Sequence, residues 1–150
     1  MSYTLETLPL SLVISQIESG NLPDAIRFEP TVYSRYATIS PNEIIRKIQI
    51  LHDCDLSTAN MLASTSWGLY QIMGYNMIQL GLDISFFNYL NNSNLQLVYF
   101  LKFVNQHNIN YTTAEIYDSQ VKGTHFAETY NGSAQYYLLM RKTIKSLTGI

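Results

Sequence analysis

The chain has 150 residues, 47% of them hydrophobic and 13% charged, with a formal net charge of −2. That length suits a single domain, residues 1–150, with a substantial core, and the composition excludes a disordered chain. The absence of a basic tail or Lys/Arg cluster argues against nucleic acid as a partner, and the lack of a run of about 18 apolar residues argues against stable membrane insertion.

The first helix is marked by Leu10, Val13, Ile14 and Ile17, which share one face, with Pro9 in its first turn and Gly20 just past its end. Ala25 to Glu29 alternate apolar and polar residues and predict a short extended segment. Ser40, Pro41 and Glu43 read as the cap, first position and third position of a helix reaching about Leu51. Asp55 or Ser57 caps the next, which runs through Leu62. A helix is expected over residues 67–73, ending at Gly74, then short helices near 75–80 and 84–91. A long apolar helix is predicted over 93–106, two short ones over 113–120 and 123–130, and a last one from Tyr137 to Leu147. The expectation is therefore a mainly α protein of seven to nine helices, with at most a small β-hairpin near residues 24–36.

Cys54 is the only cysteine, so no intramolecular disulfide can form, which fits a reducing compartment. Asp53 and Asp55 beside it raise a thiol pKa, and His52, two positions away on a helix, does not face it. No thiol mechanism is expected. His52, His107 and Asp53 have no metal-ligand spacing, so neither metal nor cofactor is called for. Residues 1–20 lack a positive n-region, and Glu6 and Pro9 interrupt their apolar stretch, so no secretory signal is expected.

The most distinctive stretch is Thr65-Ser66-Trp67-Gly68-Leu69-Tyr70-Gln71-Ile72-Met73-Gly74-Tyr75-Asn76, which holds the sole tryptophan. Flat aromatic faces with polar tips, beside amides that both donate and accept, are what sugars bind. Two glycines there suggest backbone that bends or comes close to a neighbour. Trp67 has two readings, a core aromatic or a sugar platform. Gln71 is expected to face a cleft, because an amide is costly to bury unpaired. Gly68 is expected to approach a bound sugar strand or the first helix, the one ending at Glu18, too closely for a side chain.

This block resembles the signature of the N-acetylmuramidase domain of phage endolysins. Two further segments fall in the order of that family: Val13 to Gly20 followed by Arg27-Phe28-Glu29-Pro30, and Phe126-Ala127-Glu128-Thr129-Tyr130-Asn131-Gly132. The resemblance spans about residues 10 to 147 and implies a lysozyme-like fold. Thr31 stands where the family has a histidine, and Ser133 and Ala134 stand where proline and glycine often follow.

Glycoside hydrolysis needs one carboxylic acid to protonate the leaving oxygen and a second carboxylate as base or stabiliser. Glu43 is explained by capping, Glu6 sits early, and Asp24, Asp53, Asp55, Asp83, Glu115 and Asp118 lie in loop or cap contexts, which leaves Glu18 and Glu29. Glu18 falls in the last turn of the first helix, where the helix dipole disfavours negative charge, as a general acid requires. Its Glu-Ser-Gly step resembles that of goose-type lysozymes, lytic transglycosylases and the muramidases, where the glutamate is the general acid. Glu29 resembles the second carboxylate of phage-type lysozymes; the other readings are an ion pair with Arg27 or Arg35, or a glutamate holding its loop. Ser66, Trp67, Gln71, Tyr130 and Asn131 are the substrate-binding candidates.

The resemblance implies a monomeric peptidoglycan hydrolase that cuts the glycan strand between N-acetylmuramic acid and N-acetylglucosamine. It would be made in the cytoplasm and reach the wall through a holin or a secretion route. The alternatives are a lytic transglycosylase acting on the same bond and a catalytically inactive domain that binds glycan or a partner.

Overall fold

The computed structural model describes residues 2–37 and 42–150. Its elements are α1 (Leu10–Ser19), β1 (Ile26–Phe28), α2 (Pro30–Tyr36), α3 (Glu43–His52), α4 (Leu56–Ala63), β2 (Thr65–Trp67), β3 (Ile72–Met73), α5 (Gly74–Gln79), α6 (Phe86–Leu90), α7 (Ser93–Gln106), α8 (Thr113–Asp118), α9 (Gln120–Asn131) and α10 (Tyr136–Thr148). A mainly helical chain with one small antiparallel sheet agrees with the lysozyme-like expectation. No described helix is long and apolar enough to cross a membrane. The described residues form two compact units, residues 2–21 with 100–150 and residues 22–99.

In the first unit α10 packs against α1, α8 and α9. Val13 and Ile14 of α1, Ile116 of α8, Phe126 of α9 and Met140 and Ile144 of α10 are fully buried. Gly20 ends α1 as the sequence predicts: it takes φ +63° and donates to the Gln16 carbonyl, while Asn21 donates to that of Ser15. The Thr113 hydroxyl donates to the Leu8 carbonyl at 2.6 Å, which ties the start of α8 to the chain before α1.

The second unit packs α3, α4 and α5 together beside the sheet. Asp55 caps α4 by accepting from Thr58 N at 2.8 Å. Asn42 caps α3, its side chain accepting from Ile45 N at 3.0 Å; the expected Ser40 cap and Pro41 lie outside the described residues.

Two expectations are corrected here. The segment near 24–36 is a single strand followed by α2, which raises the count to ten helices among the described residues. Pro30 presets helical φ and Glu29 before it is extended, at φ −112°, so the chain enters a helix and does not return as a strand. The partner of β1 is β2, paired antiparallel as Ile26↔Trp67, Arg27↔Ser66 and Phe28↔Thr65. The 65–73 segment is thus a hairpin and no helix, with β2 pairing β3 through Ser66↔Met73 and Trp67↔Ile72. Gly68 at φ +79° and Gln71 at φ +50° reverse the chain, and Gln71 N donates to the Gly68 carbonyl at 3.3 Å.

Gly68 has no room for a side chain, and the neighbour that fills the space is Gln96 of α7. A Cβ on Gly68 would overlap Gln96 Oε1. That oxygen accepts from Leu69 N at 2.7 Å, and Nε2 donates to the Pro23 and Leu90 carbonyls at 2.9 and 3.2 Å. The amide is fully buried. Gly68→Ala would force a left-handed alanine, at about 1–2 kcal/mol, and also displace this amide from its partners. The expected result is a clearly lower urea midpoint with an unchanged m-value; an unchanged midpoint would refute the close packing.

His52 closes α3, and its Nε2 accepts from Phe86 N at 3.3 Å with its ring 4.9 Å from that of Phe86. Only neutral imidazole can accept there, and burial pushes its pKa below the ordinary value. The unfolded chain therefore takes up the proton first as pH falls through about 6.5. This contribution to stability is present above the ordinary value and is lost as pH falls toward the folded-state one. Urea midpoints at about pH 7.5 and about pH 5 should show a loss that His52→Gln reduces; an identical loss in the variant would exclude His52 as its source.

Candidate functional site

Glu18 sits in the last turn of α1 and is half-buried. The hydroxyl of Tyr136, the first residue of α10, donates to Glu18 Oε1 at 2.7 Å. Tyr136 is 7% exposed, and burial with the neighbouring Glu18 charge pushes its phenol well above the ordinary range, so it remains a donor. The Tyr136 ring lies nearly parallel to that of Tyr130, with centroids 6.5 Å apart. Tyr130 in turn stacks on Phe126 at 5.3 Å and meets Phe103 edge-on at 5.4 Å. Asn131 is exposed at the end of α9, where Gly132 takes φ +85°. In the first unit one buried tyrosine thus meets Glu18 with its hydroxyl and Tyr130 with its ring.

Tyr136 was absent from the expected site residues. The available signal was a tyrosine pair at a helix start, since a buried tyrosine needs a partner for its hydroxyl. Which partner it takes is invisible in the sequence.

In the second unit Glu29 follows β1 at the N-cap position of α2, and its amide donates to the Ser64 carbonyl at 2.9 Å. Its carboxylate accepts from Arg27 Nε at 2.7 Å, in a pair whose side chains are 60% and 33% exposed. This is the Arg27 ion pair that the sequence left open. A pair so open to water contributes at most about 1 kcal/mol.

Ser66, Trp67 and Gln71 share the hairpin. Ser66 is buried and its hydroxyl donates to Met73 Sδ at 3.2 Å. Trp67 is 2% exposed, packs on Phe86 and Phe87 with ring centroids 5.0 and 5.5 Å away, and donates from Nε1 to the Leu62 carbonyl at 3.2 Å. That is the core reading of Trp67. Gln71 Nε2 donates to the Gly68 and Ala25 carbonyls at 2.9 and 3.2 Å, so its amide nitrogen braces the turn and ties it to the chain before β1. The side chain is half-buried and its Oε1 is the atom left to meet a ligand.

Cys54 is half-buried, and burial with Asp55 and Asp53 pushes its thiol up, away from a nucleophilic thiolate. Among the described residues no three His, Cys, Asp or Glu side chains are grouped to hold a metal ion.

A family model described as N-acetylmuramidase matches residues 29–146 of the chain. The endolysin of Enterobacteria phage PRD1 is 33% identical over 140 residues, covering 91% of this chain and 91% of that one. No solved structure matches. Glu18 precedes the stretch matched by the family model, whereas Glu29, the hairpin and Tyr130 fall inside it.

Proposed function

The chain belongs to the N-acetylmuramidase family, and on that premise we propose that it is a phage-type endolysin that cleaves peptidoglycan between N-acetylmuramic acid and N-acetylglucosamine. The observation that carries this reading is the family match over residues 29–146. A relative named endolysin that aligns over 91% of the chain supports action on the bacterial wall.

Glu18 is the proton donor to the glycosidic oxygen in this reading. Its carboxyl closes a helix anchored by buried Val13 and Ile14, and the Tyr136 hydroxyl fixes its rotamer. A carboxyl held in one orientation reaches the leaving oxygen with less loss of freedom in the transition state. Tyr136 is a positioning residue. Glu29 supplies the second carboxylate, as base toward water or as stabiliser of the positively charged sugar. Asn131, Gln71 Oε1 and the half-buried Tyr130 edge are the substrate contacts in this reading; Ser66 and Trp67 act through the hairpin that carries Gln71.

The Arg27–Glu29 pair favours one second reading. A glutamate already engaged by an arginine is less available as a base, and a lytic transglycosylase needs only Glu18, because the muramyl hydroxyl attacks in place of water.

Mass analysis of purified peptidoglycan after digestion separates the two. Reducing ends are expected, 1,6-anhydro ends would replace the hydrolase by the transglycosylase, and no fragments would leave a binding domain. Glu29→Gln should cut hydrolysis heavily, by about 10²-fold or more if Glu29 activates water, while glycan binding persists. Full activity with an unchanged thermal midpoint would remove Glu29 from the reaction.

A further inference from the structure

We propose that the first unit holds, beside the Glu18 site, a pocket for an amino-acid zwitterion, such as the free amine and carboxylate on the side arm of a diamino acid in the wall peptide. The proposal rests on peptidoglycan being the substrate. The pocket has a volume of about 320 Å³ and is lined by Asp118, Gln120, Tyr137, Leu138 and Arg141.

Arg141 is held flat. Its guanidinium carbon lies 4.1 Å over the Tyr117 ring and 5.8 Å from the Tyr137 ring centre. Its Nη1 donates both to the Tyr117 carbonyl and to the Tyr137 hydroxyl. That leaves the Nε and Nη2 edge, the pair of parallel donors that fits a carboxylate bidentately. The seat of Tyr137 is itself built in: a Cβ on Gly123 would overlap its ring. Little ordering therefore remains to be done when a ligand arrives.

Asp118 is the exposed last residue of α8 and lines the same pocket. It is close enough to favour the charged guanidinium, yet no ion pair joins Asp118 to Arg141. Two opposite charges lining one pocket without pairing suit a ligand that carries both. Asp118 repels a phosphate or a plain carboxylate and attracts the ammonium of a zwitterion. Leu138, 66% exposed, offers apolar cover for the methylenes of a diamino acid arm.

The position also fits. Tyr136 bonds Glu18, and Tyr137 is the next residue, about 100° further round α10. The pocket therefore lies roughly 8–9 Å from the Glu18 carboxyl, the chord that 100° cuts on a helix about 10–12 Å across. An extended peptide covers about 3.3–3.6 Å per residue, so a stem hanging from the muramyl sugar arrives with about its third residue.

The test uses the full chain with two substrates, un-cross-linked peptide-bearing glycan and the same strands stripped by an amidase, and one probe, a muramyl tripeptide ending in diaminopimelate. The wild type should prefer peptide-bearing strands in kcat/KM by about tenfold, and Asp118→Asn and Arg141→Gln should each bring that ratio close to one. If Arg141→Gln fails to fold, Asp118→Asn, at an exposed position, decides alone. A wild type with no preference, or variants that keep it, overturns the pocket. Cleavage of neither substrate would be a failure of the hydrolase reading, and titration of the tripeptide then decides: binding lost in Asp118→Asn upholds the pocket, and no binding to the wild type overturns it.

Discussion

Glu18→Gln is expected to fold as the wild type does and to lose wall-lytic activity by about 10²–10⁴-fold, the usual range for a lost general acid. The amide keeps the shape of the carboxyl, and its oxygen can still accept from the Tyr136 hydroxyl that now sits 2.7 Å from Oε1. What it lacks is a proton that can move to the leaving oxygen. The buried face of α1, led by Val13 and Ile14, is untouched, so the thermal midpoint should stay close to that of the parent. The measurement is kcat/KM on purified peptidoglycan beside circular dichroism of the same preparation. A folded variant that clears a wall suspension at near-parental rate would remove Glu18 from the reaction.

Trp67→Ala should have the largest effect on stability. The indole is 2% exposed, wedged against Phe86 and Phe87, and its N–H satisfies the Leu62 carbonyl. Truncating a buried tryptophan costs about 3–5 kcal/mol, in a domain whose total stability is about 5–15 kcal/mol. The variant should unfold roughly 10–20 °C earlier or fail to fold cooperatively, and Trp67→Phe should recover much of the loss. Because Trp67 is the only tryptophan, its emission reports the site directly. Saturating glycan should leave that emission unchanged, whereas urea should shift it strongly to the red. A stable Trp67→Ala protein with weakened glycan binding would make the indole a sugar platform after all.

The elements legible in the sequence are those set by short-range chemistry. α1 ends at Gly20 because a residue with no Cβ enters the left-handed region at low cost, and α4 begins after Asp55 because a carboxylate beside free amides caps them. α7 occupies Ser93–Gln106 as its apolar periodicity predicts. The family signature needed no structure either, since it is a pattern of residue types in order. Glu18 and Glu29 emerged as candidates because capping and loop contexts accounted for the other acids.

What the tertiary structure decided are the partners of polar groups whose local options were balanced. Residues 65–73 carried glycines, aromatics and an amide compatible with either a helix or a turn; the choice fell to pairing with β1 and to the buried Gln96 amide, 27 positions from the Leu69 N–H it accepts. The Gln71 amide nitrogen finds its partners in the Gly68 carbonyl of its own turn and the Ala25 carbonyl 46 positions away, which leaves only Oε1 for a ligand. Tyr136 became part of the Glu18 site through a bond across 118 positions of chain. Periodicity and capping act within a few residues, so the sequence alone determined the limits of helices such as α1, α4 and α7 and the resemblance to the family. A hydrogen bond between residues far apart depends on how α1 and α10 pack, and only the folded chain brings those two helices together.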